Sequence, residues 1–353
     1  MIYPVNSFPG RTFTSDNKEY YYFGGTAYLG LQTDIEFQDL YLSNIRKYGT
    51  GYAASRASNV RFSVFKKAEA HLAESHGCEA CFTLSSGYLA SQLVANYFAQ
   101  KGYELFYAPA THVALHTIHA KNAPGHTQLQ ESLMAFLHKN PNKPPVLLLD
   151  SIDFFAHNYP DFSWLKKLPL QDIILVADDS HGFGITGSNG NGTYTLLEQL
   201  QPKELIVCGS LGKGYGIQAG AVLGTQNRIH KIQDSPLFAA SSPAVPAAMA
   251  TYLQAGSIYQ QKREKLQKNI RQFTTQIKQP TRYFNMPNHP AFTFKDDGLT
   301  DFLEERFMVI TNFPYPNDTG DKINRIVLSA QHTEKDISLL CQTINNFDAA
   351  PKH

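Results

Sequence analysis

The chain has 353 residues, 42% of them apolar, and carries 31 basic against 30 acidic side chains for a net charge of +1. That length suits two domains with a sizeable core. The charge balance argues against a polyanion-binding surface, hence no nucleic acid is expected as partner, and no apolar run is long enough for a transmembrane segment.

In chain order, the opening "MIYPVNSFPGRTF" lacks a basic-then-apolar leader, and four cysteines in so long a chain suit a reducing compartment, so a cytoplasmic location is expected. Residues 11–14 and 20–23 read as two short strands of an N-terminal arm. Tyr20-Tyr21-Tyr22-Phe23 reads as strand and core. Residues 34–47 read as a helix. Val64, Phe65, Ala68, Leu72 and Ala73 recur at helical spacing and predict an amphipathic helix ending at Gly77. Cys78 and Cys81 form a lone C-x-x-C without a second pair, which reads as two small residues entering a buried strand at 81–83 rather than as a zinc or redox site.

A helix follows over 87–97, a strand over 105–107 and a helix over 112–120. Three apolar runs come next: Val146 to Leu149, Ile173 to Ala177 and Leu205 to Val207. Short apolar runs between helical segments suggest strands of a parallel sheet covered on both faces, hence an α/β domain. After about Pro236 the texture changes: residues 241–273 read as one long helical stretch, followed by strands over 291–294 and 326–328. A last helix begins near Thr333 with a Thr333/Asp336 capping pair and turns Ile337, Leu340, Cys341 and Ile344 inward. The expected division is an N-terminal arm at 1–39 packing with the small domain, a large α/β domain at 40–235, and a small α+β domain at 236–353.

Ligands of open α/β sheets bind beyond the carboxyl ends of the strands. After the strand at 81–83 comes Ser85-Ser86-Gly87, where Ser86 as N-cap and Gly87 at a helix start form an anion seat. After Ala177 comes Asp178-Asp179-Ser180-His181-Gly182. Asp178 ends a strongly apolar strand, where a carboxylate is costly unless it meets a cation or caps a helix. After Val207 comes "CGSLGKGYG", with Lys213 between Gly212 and Gly214. It is not a phosphate-binding P-loop: Gly209 is too close to Gly212, and Gly214 stands where Ser or Thr is required. A lysine in a partly desolvated pocket is an amine nucleophile. A phosphate seat, a strand-end aspartate and a strand-end lysine together suit pyridoxal 5'-phosphate, which needs a Schiff-base lysine and an anion opposite its pyridinium nitrogen.

The order of these motifs resembles the fold-type-I (aspartate-aminotransferase-like) pyridoxal phosphate enzymes, and among them the α-oxoamine synthases. "VADDSHGFGITGSNGNG", "SLGKGYG", "SSGYLASQ" and "RIVLSAQHTEKDI" carry the resemblance, which spans the chain from Tyr28 to the last helix. It implies a large domain with a mostly parallel sheet and a smaller α+β domain. It also implies roles: Lys213 holds the cofactor and shuttles the α-proton, Asp178 pairs with the pyridine nitrogen, and His181 contacts the ring's 3-oxygen. His112, by itself a surface histidine, stacks on the ring. Ser86, Gly87, Tyr88 and Ser210 hold the phosphate, Arg325 grips the amino-acid carboxylate, and Thr26 lies where the family has a substrate-binding Asn. The reaction implied is condensation of an amino acid with an acyl-CoA or similar thioester, with loss of carbon dioxide, in a homodimer with its active site at the subunit interface. Departures fall on substrate positions: Thr26, Val60 and Phe65 replace Asn, Gly and His, Phe154 replaces a Ser, and Ala240, with Ser241 beside it, stands near an expected partner-subunit Ser or Thr. They leave an aminotransferase or a lyase acting without acyl-CoA as the alternative. A non-catalytic protein that kept the fold is disfavoured by the intact Lys213, Asp178 and His181.

Overall fold

The computed structural model describes residues 2–314 and 322–349. From the N-terminus come β1 (Thr12–Ser15), β2 (Lys18–Phe23), α1 (Ile35–Tyr48), α2 (Ser63–His76), β3 (Ala80–Leu84), α3 (Gly87–Gln100) and β4 (Leu105–Tyr107). Then follow α4 (His126–Lys139), β5 (Val146–Asp150), β6 (Ile174–Asp178), α5 (Tyr194–Glu198), β7 (Glu204–Ser210) and β8 (Gly220–Gly224). The rest comprises α6 (Gln226–Gln233), α7 (Pro236–Ala240), α8 (Pro246–Gln254), α9 (Gly256–Gln276), β9 (Phe284–Asn285), β10 (Ala291–Phe294), α10 (Asp297–Glu304), β11 (Met308–Pro314), β12 (Lys322–Val327) and α11 (Glu334–Ala349).

These elements form two compact units. The first gathers the described residues of Met1–Gln38, Phe154–Ala156 and Ser257–His353; the second holds Asp39–Asp153 and His157–Gly256. The second boundary therefore falls at 256, not at 235. The stretch after Pro236 stays in the second unit because α8 packs on α2 and is buried almost end to end.

The second unit is built on a six-stranded sheet, β3-β8-β7-β6-β5-β4. The strands β7, β6, β5 and β4 are mutually parallel, while β8 runs antiparallel to both β7 and β3. The three apolar runs are β5, β6 and β7, parallel as expected, so the sheet is mostly parallel with β8 as its antiparallel member. Both faces are covered, which is why successive residues of β5 (Val146, Leu147, Leu148, Leu149) are all fully buried. On one face Val146, Leu148, Ile174, Val176, Ile206 and Val222 pack with Leu93, Val94 and Phe98 of α3. Each such fully buried side chain contributes roughly 1.5–3 kcal/mol relative to exposure.

Two helix predictions change. Residues 112–120 form only a short 3-10 turn, Val113–Leu115. Side chains take the carbonyls a helix needs: the Gln92 amide donates to the carbonyls of Ala114 and His116 at 2.9 and 2.8 Å, and Asn122 Nδ2 to that of Thr111 at 3.0 Å. The long stretch over 241–273 is not one helix: it opens with non-helical residues and then divides into α8 and α9. Ser242 and Val245 each precede a proline, which disfavours the helical conformation, and a further break falls at Ala255 between α8 and α9.

The first unit carries a second six-stranded sheet, β1-β2-β11-β12-β10-β9, in which β2 and β11 alone are parallel neighbours. The capping pair predicted at α11 is present. Asp336 N–H donates to Thr333 Oγ1 at 3.2 Å, and Thr333 N–H donates back to Asp336 Oδ2 at 2.8 Å. The Arg11 fork also reaches Asp336, with both nitrogens at 2.9 Å, tying the N-terminal arm to the last helix.

Candidate functional site

Strands β3, β5, β6 and β7 end on the same edge of the sheet, and the candidate residues of the second unit follow those ends. Asp150, Asp178 and Cys208 are in register on adjacent strands. Each continues the face that packs on α3, because side chains alternate along a strand.

Asp178 is 7% exposed, yet both its oxygens have donors. Ser91 Oγ donates to Oδ2 at 2.8 Å, and the Ser180 backbone N–H donates to Oδ1 at 2.9 Å. Ser91 in turn accepts from Cys208 Sγ at 3.4 Å. Among the described residues, these two neutral donors fix the orientation of the carboxylate.

Lys213 Nζ lies 2.8 Å from His181 Nε2. The glycines around it bring two loops together: a Cβ at Gly214 would stand 1.9 Å from the Phe183 carbonyl oxygen. Their packing presses the lysine loop against the turn that carries His181.

His112 caps its own turn. Its Nδ1 accepts the Ala114 N–H at 3.1 Å, so in the neutral ring the proton sits on Nε2. Burial lowers its pKa, with Asp178 pulling it up and Lys213 pushing it down, which places all three groups in one electrostatic field. The His112 backbone N–H donates to Asp150 Oδ2 at 3.1 Å. Burial, then the neighbouring Asp178, pushes the Asp150 pKa well up.

The start of α3 closes the site from another side. Ser86 is its N-cap, accepting the Leu89 N–H at 3.2 Å. The N–H groups of Gly87 and Tyr88 lie in the first turn, where no intrahelical acceptor exists. A Cβ at Gly87 would meet the Ser210 backbone nitrogen at 2.5 Å, so only glycine permits this approach. Ser210 Oγ accepts the Gly212 N–H at 3.1 Å, which leaves its own proton to donate outward. The Tyr88 side chain is exposed.

Arg325 and Thr26 belong to the first unit. Thr26 lines a cavity of about 220 Å³ with Gly24, Gly25 and Gln331. Arg325 sits on β12, opposite Thr293 and Thr311. Burial lowers its pKa, Tyr28 opposes that, and its guanidinium carbon lies 3.4 Å from the centre of the Phe154 ring.

Sequence reasoning missed Ser91 and Asp150. Ser91 had a signal: it is a hydroxyl in a run of apolar helix positions, one turn after Gly87. Asp150 was visible only as a strand end, and its register with Asp178 needed the sheet.

Comparison with known proteins gives a consistent pattern. The family described as aminotransferase class I and II matches residues 115–344. An 8-amino-7-oxononanoate synthase from Aliivibrio fischeri is 28% identical over 356 residues, covering 95% of this chain and 91% of its own. A protein of the same name from Pectobacterium atrosepticum is 26% identical over 364 residues, covering 96% and 91%. Among solved structures, a serine palmitoyltransferase from S. paucimobilis superposes with a TM-score of 0.81 at 17% identity, over 98% of this chain and 92% of that one.

Proposed function

The chain belongs to the class I and II aminotransferase family, and from that premise we propose that it is a pyridoxal-phosphate-dependent C-acyltransferase of the α-oxoamine synthase type. It joins an amino acid to an acyl-CoA or similar thioester, with loss of carbon dioxide. The relatives named 8-amino-7-oxononanoate synthase, collinear over most of the chain, support that reaction over transamination.

The observation that carries the reading is the Asp178 carboxylate, buried and oriented by Ser91 and Ser180, in one field with His112 and Lys213. The residues present fit the cofactor. Lys213 supplies the amine, and Asp178 an anion for the pyridinium nitrogen. The first turn of α3 supplies N–H groups at Gly87 and Tyr88 for the phosphate, with Ser86 capping that turn and Ser210 donating its hydroxyl proton. His112 supplies a ring to stack. Bound pyridoxal phosphate contributes a carbon that takes up amino groups and a ring that accepts the electron pair left at the substrate Cα.

The protein does the rest. In this reading Arg325 holds the substrate carboxylate in a two-pronged fork, and Thr26 is a further substrate-binding residue. His181, 2.8 Å away, is placed to take or return a proton at Lys213 Nζ, so that the amine can act as base toward the α-proton. The burial that lowers the His112 pKa keeps its ring neutral and able to donate from Nε2.

We further propose a homodimer with the site at the subunit interface. A cytoplasmic setting is supported by four free thiols, and among the described residues no helix is long and apolar enough to cross a membrane. The decisive experiment is the visible spectrum. Wild type loaded with pyridoxal phosphate is expected to show a band that borohydride fixes, and Lys213→Ala to lack it. Turnover should require both an amino acid and an acyl thioester. Accumulation of the pyridoxamine form without acyl-CoA would point to the aminotransferase instead.

A further inference from the structure

The contact between Phe154 and Arg325 is made by a detour of the chain. Asp153 and His157 belong to the second unit, but the three residues Phe154–Ala156 belong to the first. Phe154 and Ala156 hold positive φ angles of 60° and 58°, a conformation that bulky side chains seldom adopt. The surroundings hold them there. The Phe154 ring meets His289 at 5.9 Å between centroids, His289 stands edge-on to Tyr28 at 5.6 Å, and Phe155 meets Phe284 at 5.8 Å. The guanidinium carbon lies 3.4 Å from the Phe154 centroid, and the buried Arg325 Nε has no hydrogen-bond partner among the described residues.

An aromatic ring on one face of a guanidinium excludes water from that face. It leaves the donors, which lie in the guanidinium plane, as the direction in which the charge is met. We propose that Phe154 is a positioning residue that holds the Arg325 fork edge-on toward the carboxylate of the incoming amino acid, and so makes the site select amino acids over the amines they become without that carboxylate. This rests on the reading of Arg325 as the carboxylate-binding residue of a pyridoxal phosphate enzyme.

The test uses the holoenzyme and paired probes: L-alanine against ethylamine, and L-serine against ethanolamine. Each is titrated while the visible band of the lysine-bound cofactor is followed. Wild type is expected to bind each amino acid more tightly than its amine. Phe154→Leu keeps apolar bulk without a ring face. It should raise the dissociation constants of both amino acids about 10-fold while moving those of the amines less than 2-fold. Phe154→Tyr, which keeps the ring, should stay within 2-fold of wild type for all four. Equal weakening of amino acids and amines by Phe154→Leu, or no change in either, overturns the proposal while the band itself stays intact. Absence of the band in the wild type overturns the cofactor reading, and this proposal with it.

Discussion

Two carboxylates stand side by side on neighbouring strands, and their surroundings give them opposite characters. Asp178 receives a hydroxyl and a backbone N–H, one on each oxygen, while Asp150 receives one N–H and has a second oxygen that is buried and unbonded. Burial and the Asp178 charge favour the neutral form of Asp150. Asp150→Asn keeps the acceptor and the shape, so stability should stay within about 1 kcal/mol of wild type by urea unfolding, with cofactor affinity unchanged. Asp150→Ala strands the His112 N–H and should cost about 1–3 kcal/mol. Asp178→Asn removes the charge that faces the site, and cofactor affinity, measured by fluorescence titration, should fall about 100-fold, or about 2.7 kcal/mol. If Asp150→Asn proves as damaging as Asp178→Asn, the assignment of the charge to Asp178 alone is wrong.

At the level of elements, the site depends on α3 starting where it does. Gly87→Ala places a methyl group 2.5 Å from the Ser210 nitrogen, and neither backbone can move without opening the sheet edge. It should destabilise by about 1–3 kcal/mol and weaken phosphate-dependent binding of the cofactor. Comparing affinities for pyridoxal phosphate and pyridoxal separates the two effects, since only the former should drop sharply. Elements carried by burial on both faces, β5, β6 and β7, were legible in the sequence as apolar runs, and so were the polar residues that follow them. The antiparallel strand β8 was not. It is five residues bounded by glycines, and its strand state comes from pairing with β7 and β3 rather than from any local pattern. The turn at His112 was misread for the same reason: the amides that intercept its carbonyls come from Gln92 and Asn122, and no local propensity reports them. Lys213 and Asp178 stand out as candidates because chemistry restricts what may stand at a strand end, and His181 through the resemblance; Ser91 was hidden inside a helix.

At the scale of the molecule, acid should act unequally on the two units. In the first, His332 accepts the Ser329 N–H at Nδ1 and faces the Tyr22 carbonyl through Nε2, so it is neutral, and burial lowers its pKa to about 4. Its folded value lies below the unfolded one, so its stabilising contribution is complete above about pH 6.5 and is lost as the pH falls toward 4. At pH 5 the loss is roughly 2 kcal/mol. In the second unit His76, also lowered to about 4 by burial, acts in the same direction. Asp179 opposes it: burial raises its pKa to about 7, so its contribution grows as the pH falls from 7 toward 4. Hydrogen exchange at pH 5 against pH 7, corrected for intrinsic rates, should show amides of the first unit losing protection more than those of the second. His332→Gln should reduce that difference; equal losses in both units would contradict the assignment.

The pairing of β2 with β11 has a consequence for synthesis. Tyr21 and Met308 are partners in register, so the N-terminal hairpin leaves the ribosome long before the strand that completes its edge. At about 5–20 residues per second the wait is roughly 15–60 s. Throughout it, an aromatic hairpin shows open backbone hydrogen-bonding groups to every other nascent chain nearby. Proteolysis of stalled nascent chains should therefore find the first two dozen residues cleavable until the C-terminal strands emerge, and then protected together with them.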